Sequence, residues 1–248
     1  MRDAAIDVRP GPVVQANQAL ARSAGFQLGS QLLAYPTPAA TEQLLGEDLP
    51  FAEAVTGSLP EPVRESIRRL RAALADLDPD LLEGEYRRIF SHVHSADCPL
   101  YETDFIAKDV WRQSQELADL AGFYRAFGME VEGERPDSAA VELEFLHVLA
   151  FKAGWALARE EADHAEVCER AEVAFLRDHA LRWIPSLVER IAAIAGGGPY
   201  GAVAALIREL LLAEAGRRGL EFSTGAQPAT PDPELVAAEG AGLCEADT

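Results

Sequence analysis

Two Glu-x-x-His steps, Glu144-Phe-Leu-His147 and Glu161-Ala-Asp-His164, are the spacings in this chain best suited to hold a metal. Helical bundles with two metal ions use this i, i+3 pairing and add one glutamate from each of two other helices. A metal-dependent helical-bundle enzyme using Glu144, His147, Glu161 and His164 is therefore one reading. Helix geometry opposes it. The steps are 17 residues apart, and at about 100° per residue they would lie some 100° apart around one continuous helix. If the chain turns near Glu161, His147 sits about 20 Å down its helix from that turn. A second set, His92, His94, Asp97, Cys98 and Glu102, shares one loop but has no spacing that fixes a tetrahedral site. No GxSxG or GxxxxGK[ST] occurs, nor a GxGxxG after a strand, and only two lysines, Lys108 and Lys152, are present to act as a catalytic amine.

Two acidic, proline-stiffened loops remain. Cys98-Pro-Leu-Tyr101-Glu102-Thr-Asp104-Phe105 places aromatics and acids at a helix entrance, and Glu134-Arg-Pro136-Asp137 precedes the most apolar helix. On that helix Glu142 and Glu144 project about 200° apart, so at least one is buried or lines a groove and needs a partner.

The elements that must position these residues read as helices throughout. Apolar residues recur every four positions at Leu20, Ala24, Leu28 and Leu32 in a run from Asn17 to Ala34. Thr41 is placed to cap a short second helix running to Val55. Pro60 to Pro62 open a third, with Val63, Ile67, Leu70 and Leu74 as its buried stripe. Pro79 starts a fourth, through Tyr86 and Phe90. Further helices are expected from Asp104 to Ala126, from Asp137 or Ser138 to Arg159, from Asp163 onward with a kink or split at Pro185, and from Tyr200 to Arg218. The fold class is all-α, a single globular bundle of about eight to ten helices. Residues 1–16 form an N-terminal extension, 17–222 the helical domain with a hinge loop at about 128–137, and 223–248 a disordered tail.

Composition narrows the partners. The 248 residues carry a formal charge of −19 and are 48% hydrophobic, with a pI near 4.6. That balance argues against nucleic acid and anionic membranes, which need a basic face. Three cysteines without CxxC fit a reducing compartment. The start of the chain shows no apolar signal-peptide core. The longest apolar-rich run, 139–157, is interrupted by Glu142, Glu144, His147 and Lys152. A soluble, cytoplasmic protein without stable membrane insertion is expected.

Three segments together resemble the TorD/DmsD/NarJ-type chaperones that mature molybdenum oxidoreductases of the dimethyl sulfoxide reductase superfamily. They are Tyr86-Arg-Arg-Ile-Phe90 followed by Pro99-Leu-Tyr101-Glu102; Glu134-Arg-Pro136-Asp137 followed by Glu142-Leu-Glu144-Phe145-Leu146; and Phe175-Leu-Arg-Asp-His179-Ala-Leu-Arg-Trp183-Ile-Pro185. Ser138 stands where the family has a histidine after the hinge aspartate. The Cys-Pro-x-Tyr-Glu-Thr form is similar to chaperones of the branch that includes selenate, chlorate, dimethyl sulfide and ethylbenzene enzymes. The resemblance implies an all-helical, non-catalytic chaperone without a cofactor or metal. It would bind the twin-arginine signal peptide or N-terminal segment of a molybdoenzyme catalytic subunit while the molybdenum cofactor is inserted. Monomer and domain-swapped dimer are both compatible. An arginine pair beside an apolar stretch calls for carboxylates beside an apolar groove. The residues expected there are Glu102, Asp104, Glu134, Asp137, Glu142 and Glu144 for charge, with Tyr86, Phe90, Tyr101, Phe105, Pro136, Phe145 and Trp183 as the walls. His179, one turn before Trp183, is either a core hydrogen-bonder, the favoured reading, or part of the same groove.

Overall fold

Proline opens four of the ten helices among the described residues. Pro12, Pro38, Pro79 and Pro199 each take the first helical position, where a missing N–H costs nothing and φ is already helical. The computed structural model describes residues 11–45, 57–75, 77–90, 97–106 and 109–228. Expectations for residues 1–10, for the second helix beyond Leu45, for His92 and His94, and for the tail beyond 228 lie outside these residues. The helices are α1 (Pro12–Leu33), α2 (Pro38–Leu45), α3 (Glu61–Leu74), α4 (Pro79–Phe90), α5 (Glu102–Ile106), α6 (Val110–Ala126), α7 (Ala139–Ala158), α8 (Ala162–Phe175), α9 (Leu181–Ala195) and α10 (Pro199–Arg218). The described residues hold no strand, only an isolated bridge between Tyr101 and Ser138, so the all-α expectation holds. No helix among them is long and apolar enough to cross a membrane.

Local chemistry moves several boundaries. α1 begins at Pro12 rather than Asn17. Thr37, not Thr41, caps α2 by accepting from the Ala40 N–H at 3.3 Å, and Thr41 is buried inside the helix. The helix expected from Asp104 to Ala126 is two elements, because Asp109 takes an extended backbone and accepts from the Arg112 N–H as a fresh N-cap. Pro185 lies inside a continuous α9. The irregularity comes earlier, at the π-turn Leu176–Ala180, where the Leu181 N–H reaches back to the Leu176 carbonyl. That extra residue per turn resets the face on which His179 and Trp183 follow.

α1 and α7 pack along their lengths and form the centre. They run antiparallel: Ala16 and Leu20 meet Gly154, Ser23 meets His147, and Gly29 meets Leu143. Gly154 is what lets them approach, since a Cβ there would sit 2.9 Å from Leu20 Cγ and 3.2 Å from the Ala16 carbonyl. Gly154→Val is expected to cost about 2–3 kcal/mol by forcing α1 outward, read by urea denaturation; a loss below about 0.5 kcal/mol would mean the seam is loose.

α8 covers α7, while α10 packs on α3, α9 and α1. Phe145, Phe175 and Trp183 are fully buried. A buried ionic cluster ties α1, α8 and α10. Glu172 accepts from Arg218 at 2.7 Å and Arg217 at 3.3 Å, and Glu214 faces Arg22 at 3.1 Å. Burial pushes the Glu172 carboxyl up, but Arg22, Arg217 and Arg218 outweigh it and hold it below the usual range.

Candidate functional site

The two acidic loops meet. The Glu102 N–H donates to the Asp137 carbonyl at 2.8 Å, and the Ala139 N–H donates to the Leu100 carbonyl at 2.9 Å. Asp137, fully buried, accepts from Thr103 Oγ1 at 2.7 Å, from Arg135 Nε at 3.0 Å and from Arg135 Nη2 at 2.8 Å. The Arg135 guanidinium lies 4.1 Å over the Tyr101 ring. Ser138 caps α7 by accepting from the Val141 N–H at 3.3 Å. The residue standing in for the family histidine therefore has a structural task. Tyr124 donates to the Pro136 carbonyl at 2.7 Å, which anchors the far end of the hinge loop.

A second set of expected groove residues lies deeper. Glu102 is fully buried against His179 at 3.0 Å, and Arg182 stands 3.3 Å from Glu116 and 3.8 Å from Glu102. Burial, which disfavours imidazolium, is outweighed by Glu102, Asp119 and Glu116, so the His179 pKa is raised. Glu142, also fully buried, accepts from Trp183 Nε1 at 3.1 Å on both oxygens. Its pKa is pushed well up by burial, with the Glu102 and Asp137 charges adding and the Trp183 N–H opposing.

A raised carboxyl pKa means stability that is complete below the unfolded value, about 4.3, and is lost as pH rises through the folded value. Glu142→Gln keeps an acceptor for Trp183 and never ionises. It is expected to match the parent near pH 4 and to exceed it in stability increasingly as pH rises above the unfolded value, as measured by urea denaturation across pH. Parallel curves for the two proteins would show Glu142 ionised in the folded state.

The surface carboxylates gather elsewhere. The loop from Gly128 to Pro136, with positive φ at Gly128 and Gly133, carries Glu130, Glu132 and Glu134 to the N-terminal end of α7. There they share a cleft of about 410 Å³ with Glu144, floored by Ala34, Met129 and Val131. Glu130, Glu132, Glu134 and Glu144 are all exposed. Glu134 accepts from the Arg135 backbone N–H at 2.8 Å. Among the described residues, Glu130, Glu132 and Glu144 have no ion-pair partner. An adjoining cleft of about 440 Å³ uses the other side of the same loop, against Tyr124 and Arg125.

Of the residues expected at a groove, only Glu134 and Glu144 border this cleft. Phe145, His179 and Trp183 are fully buried, and Tyr86, Phe90 and Phe105 are buried. Tyr86 and Phe90 pack with Tyr200 in an aromatic cluster, with ring centroids 5.9 and 5.6 Å from it; Phe105 lies 5.3 Å from Trp183. Tyr101, Asp104 and Pro136 are half-buried along the inter-loop seam. Glu130 and Glu132 were absent from the sequence expectation. Their signal was the alternating acid and apolar run Met129-Glu-Val-Glu132 between two glycines.

Residues 56–189, more than half of the chain, match the model of the family described as nitrate reductase delta subunit. The chain belongs to that family. No curated protein matches it. The delta-subunit family consists of chaperones for molybdoenzyme maturation. The matched region contains both acidic loops, the buried seam and the cleft-bearing part of α7, and it encloses the three segments that carried the resemblance.

For a delta-subunit chain, the metal-enzyme alternative finds no support in the geometry. His147 Nδ1 lies 2.8 Å from Ser23 Oγ, and exposed His164 pairs with Glu161 at 3.1 Å. With Glu144 in the cleft, these residues form no ligand cluster among those described. The cluster that does lie within ligand distance is Glu102, Glu116 and His179. Arg182 already supplies its positive charge.

Proposed function

We propose that this protein is a cytoplasmic maturation chaperone whose acidic cleft grips the arginine pair in the leader or N-terminal segment of a molybdoenzyme catalytic subunit, holding it while the molybdenum cofactor is inserted before export. The observation that carries this reading is the set of four glutamates converging on an apolar-floored cleft, three of them without an ion-pair partner among the described residues. Guanidinium groups present a planar fork that meets carboxylates bidentately, which an ammonium cannot do. Methionine and valine on the floor give the neighbouring aliphatic stems and apolar side chains a dry surface. Membership of the delta-subunit family supports a binding task over a catalytic one. The finer kinship to the TorD and DmsD branches rests on the motif resemblance alone.

Calorimetric titration with three synthetic leaders identical except for the pair tests this reading. Affinity should fall in the order Arg-Arg, Lys-Lys, Ala-Ala, with the first step about tenfold. Equal affinity for all three would discard the cleft as an arginine site. Co-purification from the native host should bring down one large oxidoreductase subunit.

A further inference from the structure

Beyond the acidic cleft, α7 keeps one face uncovered. Glu144, Val148, Phe151 and Trp155 follow one another at i, i+4, i+7 and i+11, a single stripe of an α-helix. Phe151 is 45% exposed and Trp155 is 56% exposed, and their rings stack at 6.3 Å with an interplanar angle of 21°. Together with Ala156 of the same helix, Cys168 of α8 and the Glu161–His164 pair at the start of α8, they wall a groove of about 330 Å³ whose exposed surface is mostly apolar. Val167, the neighbour of Cys168, is 46% exposed. Large aromatics left half in water on a helix that otherwise buries its apolar residues mark a surface built to be covered. Lys152 does not polarise the groove, because its ammonium donates to the Phe127 carbonyl at 2.5 Å.

We propose that this groove takes the apolar stretch following the arginine pair of the same leader, so that the leader lies along α7 in the helix's own direction, cationic end at Glu144 and apolar end at Trp155. This rests on the reading of the cleft as an arginine-pair site. The order of chemistry along the stripe, acid and then aromatic, is the complement of a segment that is basic and then apolar. Glu144 and Trp155 are about 16 Å apart along the helix axis, which about five extended or eleven helical residues would span. One short segment therefore reaches both ends. A second copy of the chain is a poor occupant, since each brings a charge of −19.

Trp155 is its own reporter once Trp111 is replaced, Trp183 being fully buried. In a Trp111→Phe background, a synthetic peptide with an arginine pair followed by an alanine–leucine stretch should shift Trp155 emission to the blue. The same peptide cut after the arginine pair should not. Phe151→Ala and Trp155→Ala should each weaken the long peptide about tenfold and leave the short one unchanged, with Trp155→Phe recovering most of the loss. Melting by circular dichroism confirms that each variant is folded. A benzophenone at the apolar end of the long peptide should cross-link to the C-terminal half of α7 or to α8.

If the aromatic variants bind the long peptide within about twofold of the parent, while Glu132→Lys and Glu144→Lys lose it, the groove is not the apolar subsite and the arginine cleft stands. Indifference of both sets would overturn the cleft as well. Cross-links landing on the 128–136 loop would overturn the proposed direction.

Discussion

Asp137→Ala should lower the unfolding free energy by about 3 kcal/mol and, in protein that still folds, loosen the acidic cleft. Asp137 is completely buried, and its oxygens are the acceptors for Thr103 Oγ1 and the Arg135 fork. Removing an acceptor inside the protein leaves its donors without partners, at about 1–3 kcal/mol each. Arg135 is 44% exposed on its side chain and can turn to water, which keeps the total below the cost of an orphaned buried charge. The second effect is positional. The chain from Glu130 to Glu134 is held at its C-terminal end by this junction and by Tyr124 on Pro136, so its loss frees three of the four cleft glutamates. Urea denaturation gives the first quantity and leader titration the second. Asp137→Asn, which keeps one acceptor, should fall about midway. A loss under about 1 kcal/mol for the alanine variant would mean that the two loops are held by their backbone hydrogen bonds alone.

This junction separates two kinds of carboxylate that the sequence alone could not sort. Glu142 and Glu144, 200° apart on one helix, could be told apart in principle: one side had to be inside, and Glu142 is. Glu102 and Asp137 stand at chain reversals, where no periodicity says which way a side chain faces, so both were expected at the groove and both lie in the core. Trp183 was equally illegible, whereas His179 takes the favoured one of its two readings, a core hydrogen-bonder paired with Glu102. The π-turn that sets their face leaves no mark in residue types. The helices themselves were legible because proline opens four of them, glycine closes α9 and α10, and the apolar stripes of α3 and α4 are regular. At α2 and α6 a single capping side chain, Thr37 or Asp109, set the boundary, and at α1 Pro12 did. Glu130 and Glu132 were overlooked because the segment from Gly128 to Pro136 read only as a hinge loop.

The buried carboxylates hold the loop, and the exposed ones are left to meet a ligand. That division predicts a large and salt-sensitive effect from the second group. The double variant Glu132→Lys/Glu144→Lys should weaken an arginine-pair leader about 100-fold at low salt, since each reversal removes an attraction and adds a repulsion in a partly dry cleft. Both side chains are exposed, so the fold should tolerate the change within about 0.5 kcal/mol. The difference between parent and variant should shrink as the screening length falls from about 10 Å at 0.1 M salt to about 3 Å at 1 M. A control pair with the same change in net charge, Asp80→Lys/Glu166→Lys on α4 and α8, distinguishes local contact from the long-range field of a chain at −19. It should cost less than about threefold, through reduced steering alone. Equal losses for the two double variants would reduce the cleft to one acidic patch among many, whereas a loss confined to Glu132 and Glu144 places the arginine pair between the hinge loop and the first turns of α7.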